Sequence, residues 1–291
     1  MPRHSQLGTA LDYLAPAALP PGTLVRVPLG RRVVTGLVWV DGSAAAEPDA
    51  APGYEHKPIA EVLAVLPPLA PAWCRLLRFA AGYYQRNLGE LALAVLPPEL
   101  RQIDAVQLER RLKRLLKELD LLPPPAPKRP RRRAAVAASA DPVASPDLPP
   151  APAVAPVPAE PIPELSTDQA RVLAELAAAP PGPVLLWGVT GSGKTEVYLR
   201  EAERVLASGR QVLVLVPEIN LTPQLEARFK ARFPGRRLVT QHSGLTPAQR
   251  LQHWLAAHLG HADLLLGTRM AVFASLPRLG LIVVDEEHDP S

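Results

Sequence analysis

Cysteine is almost missing from this chain: Cys74 is the single one in 291 residues. One thiol excludes an internal disulfide and cannot supply a multi-thiolate zinc site by itself. Long apolar runs are missing as well. No stretch reaches the roughly 18 apolar residues that read as a membrane-spanning helix. The opening MPRHSQLGTALDYL has no uninterrupted apolar segment of the secretory type. The expected setting is therefore reducing and cytoplasmic. Apolar residues still make up 47% of the chain, enough for a packed core in each of two modest domains or in one large one.

The formal charge is +4, and its distribution says more than its sum. Residues 101–133 carry eleven Lys and Arg against four Asp and Glu, so the rest of the chain is net acidic. Such a local patch fits contact with a polyanion, and it equally fits a solvated helix face followed by a soluble linker.

Proline divides the chain. Fourteen of the 36 prolines fall in residues 123–163, together with KRPRRR at Lys128 to Arg133. This segment has no apolar periodicity, and proline fixes φ and removes donors, so it reads as a semi-extended linker. Before it, residues 1–99 offer β-type runs at Leu24 to Val27, Val33 to Val40 and Ile59 to Leu66, then a helix at about Ala72 to Asn87. A basic amphipathic helix is expected within 100–122, with a stripe of Leu108, Leu112, Leu115, Leu116 and Leu119 that packs on a neighbour. From about Glu164, apolar strands alternate with helices. Strands are expected at Val184 to Trp187, Gln211 to Val216, Arg237 to Thr240, Asp263 to Leu266 and Leu281 to Val284, with helices near 167–178, 195–207, 223–232 and 247–259. This pattern specifies an α/β architecture: a small α+β unit followed by a parallel sheet covered on both faces, with its ligand at the C-terminal strand edge.

GVTGSGKT, comprising Gly188, Val189, Thr190, Gly191, Ser192, Gly193, Lys194 and Thr195, fits G-x-x-x-x-G-K-[ST] at every fixed position. Glycines let backbone N–H groups turn towards phosphates, and the following helix N-terminus favours negative charge. Lys194 would meet the β and γ phosphates of ATP, and the Thr195 hydroxyl would hold Mg²⁺. The bland alternative is a glycine-rich turn without a ligand. Ninety-one residues after Lys194, LIVVDEEH places Asp285 at the end of an apolar strand. A carboxylate there completes the Mg²⁺ shell, and Glu286 would orient the attacking water. Glu287 and His288 would sense the nucleotide state and relay it. An acidic pair after a strand is by itself a common solvated turn; behind an intact phosphate loop it gains meaning. Gln169, 25 residues before Lys194, has two readings: it reads the adenine edge, or it closes an S-x-x-Q capping box with Ser166. His242, His253, His258 and His261 show no ligand spacing and read as surface or structural.

Five ordered stretches carry a resemblance: LDYLAP at Leu11 to Pro16, GVTGSGKTEVYL at Gly188 to Leu199, VPEINLTPQ at Val216 to Gln224, HSGLTPAQR at His242 to Arg250, and GTRMAVFASLPRLGLIVVDEEHDPS at Gly267 to Ser291. The sequence resembles the bacterial primosomal replication-restart helicases over the first hundred residues and from about 164 onward. The resemblance implies a β-barrel-like N-terminal DNA-binding domain at 1–99 and a first RecA-like lobe at 164–291. It implies a superfamily 2 helicase that unwinds DNA 3′ to 5′ with ATP and Mg²⁺. Such a helicase recognises stalled forks and works with other primosome proteins and single-stranded DNA-binding protein at the nucleoid. It also implies that Asp12, Tyr13, Gly30 and Lys57 hold a 3′ DNA end, through ring stacking, close backbone approach and phosphate contact.

The sequence departs from the family in several places. Leu11 replaces an aromatic, Asn220 a glycine and Met270 a small residue, and no winged helix is recognisable between the two domains. The family pattern continues beyond DEEH into a second lobe, an arginine finger and a zinc region whose ligands this chain does not carry. The expectation is therefore an N-terminal portion that binds forks and nucleotide but does not unwind DNA alone. The alternatives are a non-enzymatic platform for primosome assembly with a vestigial ATP site, and a small ATPase unrelated to DNA.

Overall fold

The computed structural model describes residues 11–39, 56–119, 163–189 and 191–285. Most of the proline-rich segment, Lys128 to Arg133 included, lies outside them, as do Thr190, Glu286, Glu287 and His288.

Near the N-terminus, β1 (Leu24–Leu29) pairs antiparallel with β2 (Arg32–Leu37) and with the short β3 (Glu61–Val62), in the order β2-β1-β3. The chain turns between β1 and β2 at Gly30, whose φ is +59°, a left-handed conformation that glycine adopts without a steric penalty. The expected third strand, Ile59 to Leu66, shrinks to two residues. Leu63 and Leu66 instead turn inward and are buried beneath the sheet. Helix α1 (Pro71–Tyr83) starts on a proline, whose missing N–H costs nothing in the first turn. Helix α2 (Leu88–Val95), capped by Asn87, is an element the sequence pattern did not indicate. The basic helix α3 (Ala105–Glu118) begins where the Asp104 carboxylate accepts the Gln107 N–H at 2.7 Å.

After the proline-rich segment comes α4 (Thr167–Ala178), then α5 (Lys194–Ala207), β4 (Gln211–Leu215), α6 (Pro223–Arg232), β5 (Leu238–Gln241), α7 (Pro247–His258), β6 (Leu264–Gly267) and β7 (Leu279–Val284). Four of these strands form a parallel sheet in the order β5-β6-β4-β7. Val212, Leu213 and Val214 of β4 and all of β6 are buried, as strands covered on both faces must be. The architecture is a small antiparallel sheet with helices, joined to a RecA-like parallel-sheet lobe.

One strand expected from the sequence is not formed. Val184 to Trp187 is extended but unpaired, with Leu185 75% and Trp187 88% exposed. Strand preference is largely a preference for packing on neighbouring strands, and this run has no ladder to join. On the edge strand β7, Ile282 and Val284 are exposed.

The two units are not separate cores. One apolar cluster runs from Leu24, Leu63 and Trp73 through Leu108 and Leu115 to Leu255, Leu265 and Leu276. Polar contacts cross the same boundary. The Trp73 indole donates to the Phe273 carbonyl at 2.8 Å, the Arg237 guanidinium donates to the Leu119 carbonyl at 2.8 Å, and His258 bridges Ser275 and the Pro67 carbonyl at 2.8 and 2.9 Å. A carbonyl only accepts, so Nε2 of His258 carries the proton and Nδ1 accepts from Ser275. Burial pushes the pKa of this imidazole down to about 4, opposed in part by the Pro67 bond.

Candidate nucleotide and DNA sites

The phosphate loop leads into α5. Gly191 and Gly193 both have φ of +82°, so the chain can turn sharply where a side chain would be strained. At Gly193 a Cβ would also collide with the Gln169 amide. That amide is bonded through both of its polar atoms: its oxygen accepts the Ser166 N–H at 2.8 Å, and its nitrogen donates to the Gly193 carbonyl at 3.2 Å. The capping-box reading of Gln169 is therefore realised, and the same side chain ties α4 to the loop. Lys194 is folded back on its own loop. Its ammonium donates to the carbonyls of Gly188 at 2.5 Å and Val189 at 3.0 Å.

Asp285 ends β7, where its N–H donates to the Leu215 carbonyl at 2.9 Å. Its carboxylate accepts from the Tyr198 hydroxyl at 3.1 Å. Thr195, one turn earlier on α5, lies beside that hydroxyl and lowers its pKa as a donor does. The two oxygen donors expected around Mg²⁺ thus converge on one phenol, although they lie 90 residues apart in sequence. Burial, and then the Asp285 charge, push the Tyr198 pKa well above the usual tyrosine range, so it stays a donor. Sequence reasoning missed Tyr198, which sits in an apolar helical stripe and reads as core. A hydroxyl and a carboxylate suit a hard divalent cation, and Lys194 suits phosphate, so these residues fit ATP with Mg²⁺.

Loops after β4, β5 and β6 gather at the same strand edge. The Ser243 hydroxyl donates to the Glu218 carboxylate, and the Thr268 N–H donates to the Gln241 carbonyl at 3.2 Å. Exposed Ile219 and Met270 flank this edge, and Asn220 lies between Ile219 and α6.

In the N-terminal unit, Leu14 bridges to Pro58: its N–H donates to the Lys57 carbonyl at 3.0 Å, and its carbonyl accepts the Ile59 N–H at 2.9 Å. The Tyr13 hydroxyl donates to the Pro28 carbonyl at 3.0 Å, two residues before Gly30. Asp12, Tyr13, Lys57 and the Gly30 turn are thereby brought around one end of β1. Asp12, Gly30 and Lys57 are exposed, and space around Gly30 is open.

A phosphate loop whose helix faces a strand-end carboxylate across a parallel sheet defines a RecA-like nucleotide lobe, here fused to a small antiparallel-sheet unit. Comparison with known proteins agrees. Residues 2–97 match the family model described as 3′DNA-binding domain (3′BD), the version found in PriA, and residues 166–291 match DEAD/DEAH box helicase. The second is a helicase-type, ATP-hydrolysing domain, which implies use of ATP and Mg²⁺. Among curated relatives, the replication restart protein PriA of Synechocystis is 56% identical over 108 residues, 37% of this chain and 13% of its own length. PriA of Bacillus subtilis is 50% identical over 107 residues, again 37% and 13%. PriA of Rickettsia felis is 28% identical over 283 residues, 97% of this chain and 36% of its own length. The chain therefore spans about a third or less of the relatives it matches. Its two halves thus match a PriA-type 3′DNA-binding domain and a DEAD/DEAH box helicase domain, and its resemblance is to replication restart PriA proteins. Among the described residues, no helix is long and apolar enough to cross a membrane.

Proposed function

We propose that this chain serves replication restart as the fork-binding and ATP-binding part of a DNA helicase that moves 3′ to 5′. The observation that carries the reading is the joining, in one chain, of a 3′DNA-binding domain and a phosphate loop whose Thr195 and Asp285 meet at Tyr198. In this reading Asp12, Tyr13, Gly30 and Lys57 receive the 3′ end: the ring offers a stacking face, the glycine turn admits backbone, and the lysine meets phosphate. Lys194 would turn from the carbonyls of Gly188 and Val189 to the phosphates, and Thr195 and Asp285 would hold Mg²⁺, which would supply charge neutralisation. Glu286 orients water, and Glu287 and His288 relay the nucleotide state towards the DNA-facing edge.

Partner proteins of the primosome, and single-stranded DNA-binding protein, would dock on exposed apolar surface. The exposed rings of Phe79, Tyr83 and Tyr84 on and beside α1 supply a patch of that kind, with Phe79 and Tyr83 stacked 5.9 Å apart.

Two measurements on the purified chain test the proposal. DNA-stimulated ATP hydrolysis should be detectable and be lost in Lys194→Ala. Forks with a free 3′ end should bind better than forks with that end blocked, and Lys57→Ala should remove the difference. Equal binding of both forks by the parent chain sinks the 3′-end assignment. A second reading, a fork-binding platform without turnover, draws on the unpaired Val184 to Trp187, the run that leads into the phosphate loop. Fork discrimination without hydrolysis would select it.

A further inference from the structure

The geometry points to a third DNA contact, a sequence-independent phosphate track along the basic face of α3 and the groove between α3 and α7. This rests on the DNA-binding reading above but on none of its residues. The basic stretch alone fits a solvated face equally well, and three features of its setting favour DNA.

First, the helix is held at both ends. The Ala105 N–H at its start donates to Glu61 of β3 at 3.2 Å. At its other end Glu118 accepts from Gln252 of α7 at 2.5 Å, and the Leu119 carbonyl accepts from Arg237. Leu108 and Leu115 are buried beneath it. Its charges are thus presented on a fixed surface that runs from the antiparallel sheet to the lobe.

Second, the outward face has more cations than local partners. Glu109 takes Lys113 at 2.7 Å and Glu118 takes Arg114 at 2.9 Å. Among the described residues Arg110, Arg111 and Lys117 make no ion pair, and all three are exposed. Arg110 and Lys117 stand two helical turns apart, about 10 Å, or roughly three phosphate steps along one strand of a duplex.

Third, the face borders a groove of about 300 Å³. Arg111, Arg114 and Glu118 form one wall, Gln249 and Gln252 the other, over Leu251 and Leu255. Arg114 and Gln252 are bonded to Glu118, so the donors offered to phosphate oxygens are the Arg111 guanidinium and the Gln249 amide nitrogen. The groove opens at the start of α7, where Arg250 donates to the Ser243 and Leu245 carbonyls at 3.4 Å, and Ser243 reaches Glu218 at the strand edge. DNA seated on that edge and on the N-terminal unit would pass α3 between them.

The test is binding of labelled forks by the full chain across a salt series, comparing the parent with Arg110→Gln/Arg111→Gln/Lys117→Gln. Loss of three phosphate contacts should flatten the slope of log K against log salt by roughly 2 to 3 and weaken binding roughly tenfold or more at low salt. Forks with free and blocked 3′ ends should weaken by the same factor, leaving any preference between them intact. A charge-preserving Arg110→Lys/Arg111→Lys variant should keep the parent slope. An unchanged slope in the triple Gln variant, with native circular dichroism, overturns the proposal and leaves α3 a solvated face. If the parent lacks 3′-end preference, the end-pocket reading fails alone, because the slope comparison needs no such preference.

Discussion

At the scale of single residues, Tyr198 ties the nucleotide lobe together. Its ring packs in the core with Leu199 and Ala202, while its hydroxyl serves both Thr195 and Asp285. Tyr198→Phe keeps the packing and removes the hydroxyl that donates to Asp285. Nucleotide affinity in the presence of Mg²⁺ should fall roughly tenfold or more, since a hydrogen bond to a charged group contributes roughly 1.5 to 3 kcal/mol. Affinity without Mg²⁺ should hardly change. Calorimetric titration with ADP under both conditions decides the matter, and an equal loss in each would reduce Tyr198 to a packing residue. The loop and its carboxylate were legible because their chemistry demands fixed residue types at fixed spacing. Tyr198 was not, because its partner Asp285 is 87 residues away and no local pattern marks a tyrosine that reaches across a sheet.

Elements were legible where caps and periodicity agreed. Ser166 with Gln169 and Thr246 with Gln249 form complete capping boxes, and α4 and α7 begin where those pairs place them. Helix α2 escaped notice because LGELALAV is short and apolar on most sides, so no polar face marks its period. The run Val184 to Trp187 misled in the opposite sense: its composition suits a strand, yet a strand needs a partner. Its backbone amides, free of any ladder, should exchange with solvent within the fastest class of the lobe. Binding of ATP with Mg²⁺ at the adjoining loop should slow that exchange, as read by hydrogen-exchange mass spectrometry of peptides covering 183–189. Identical uptake with and without nucleotide would show that the loop and the run are not coupled.

At the scale of the whole molecule, the shared core has a consequence for acid stability. His258 is neutral and bonded on both nitrogens between the two units. In the unfolded chain it would titrate near 6.5, whereas in the folded chain it resists protonation down to about pH 4. Between those values the unfolded state binds the extra proton. Stability is therefore greatest above pH 6.5 and falls as the pH drops through this window, by up to about 3 kcal/mol from this residue. Urea unfolding at pH 7 and at pH 4.5 should show the loss. His258→Gln, which cannot titrate, should be less stable at pH 7 but flatter with pH, and parallel profiles would remove His258 from the account.

Sequence alone determined which chemistry is present. A glycine loop with Lys194 and Thr195, an apolar strand ending in Asp285 and a basic amphipathic helix each declare themselves through local spacing, because phosphate binding, strand burial and helix faces are local requirements. The fold decided what lies beside what. It set Tyr198 between Thr195 and Asp285, employed Gln169 as a cap and a brace, and wedged Trp73 and His258 between the units. It also fixed α3 against α7 with its cations outward. Those outcomes depend on residues tens to hundreds of positions apart meeting in one core, and no periodicity along the chain encodes that meeting.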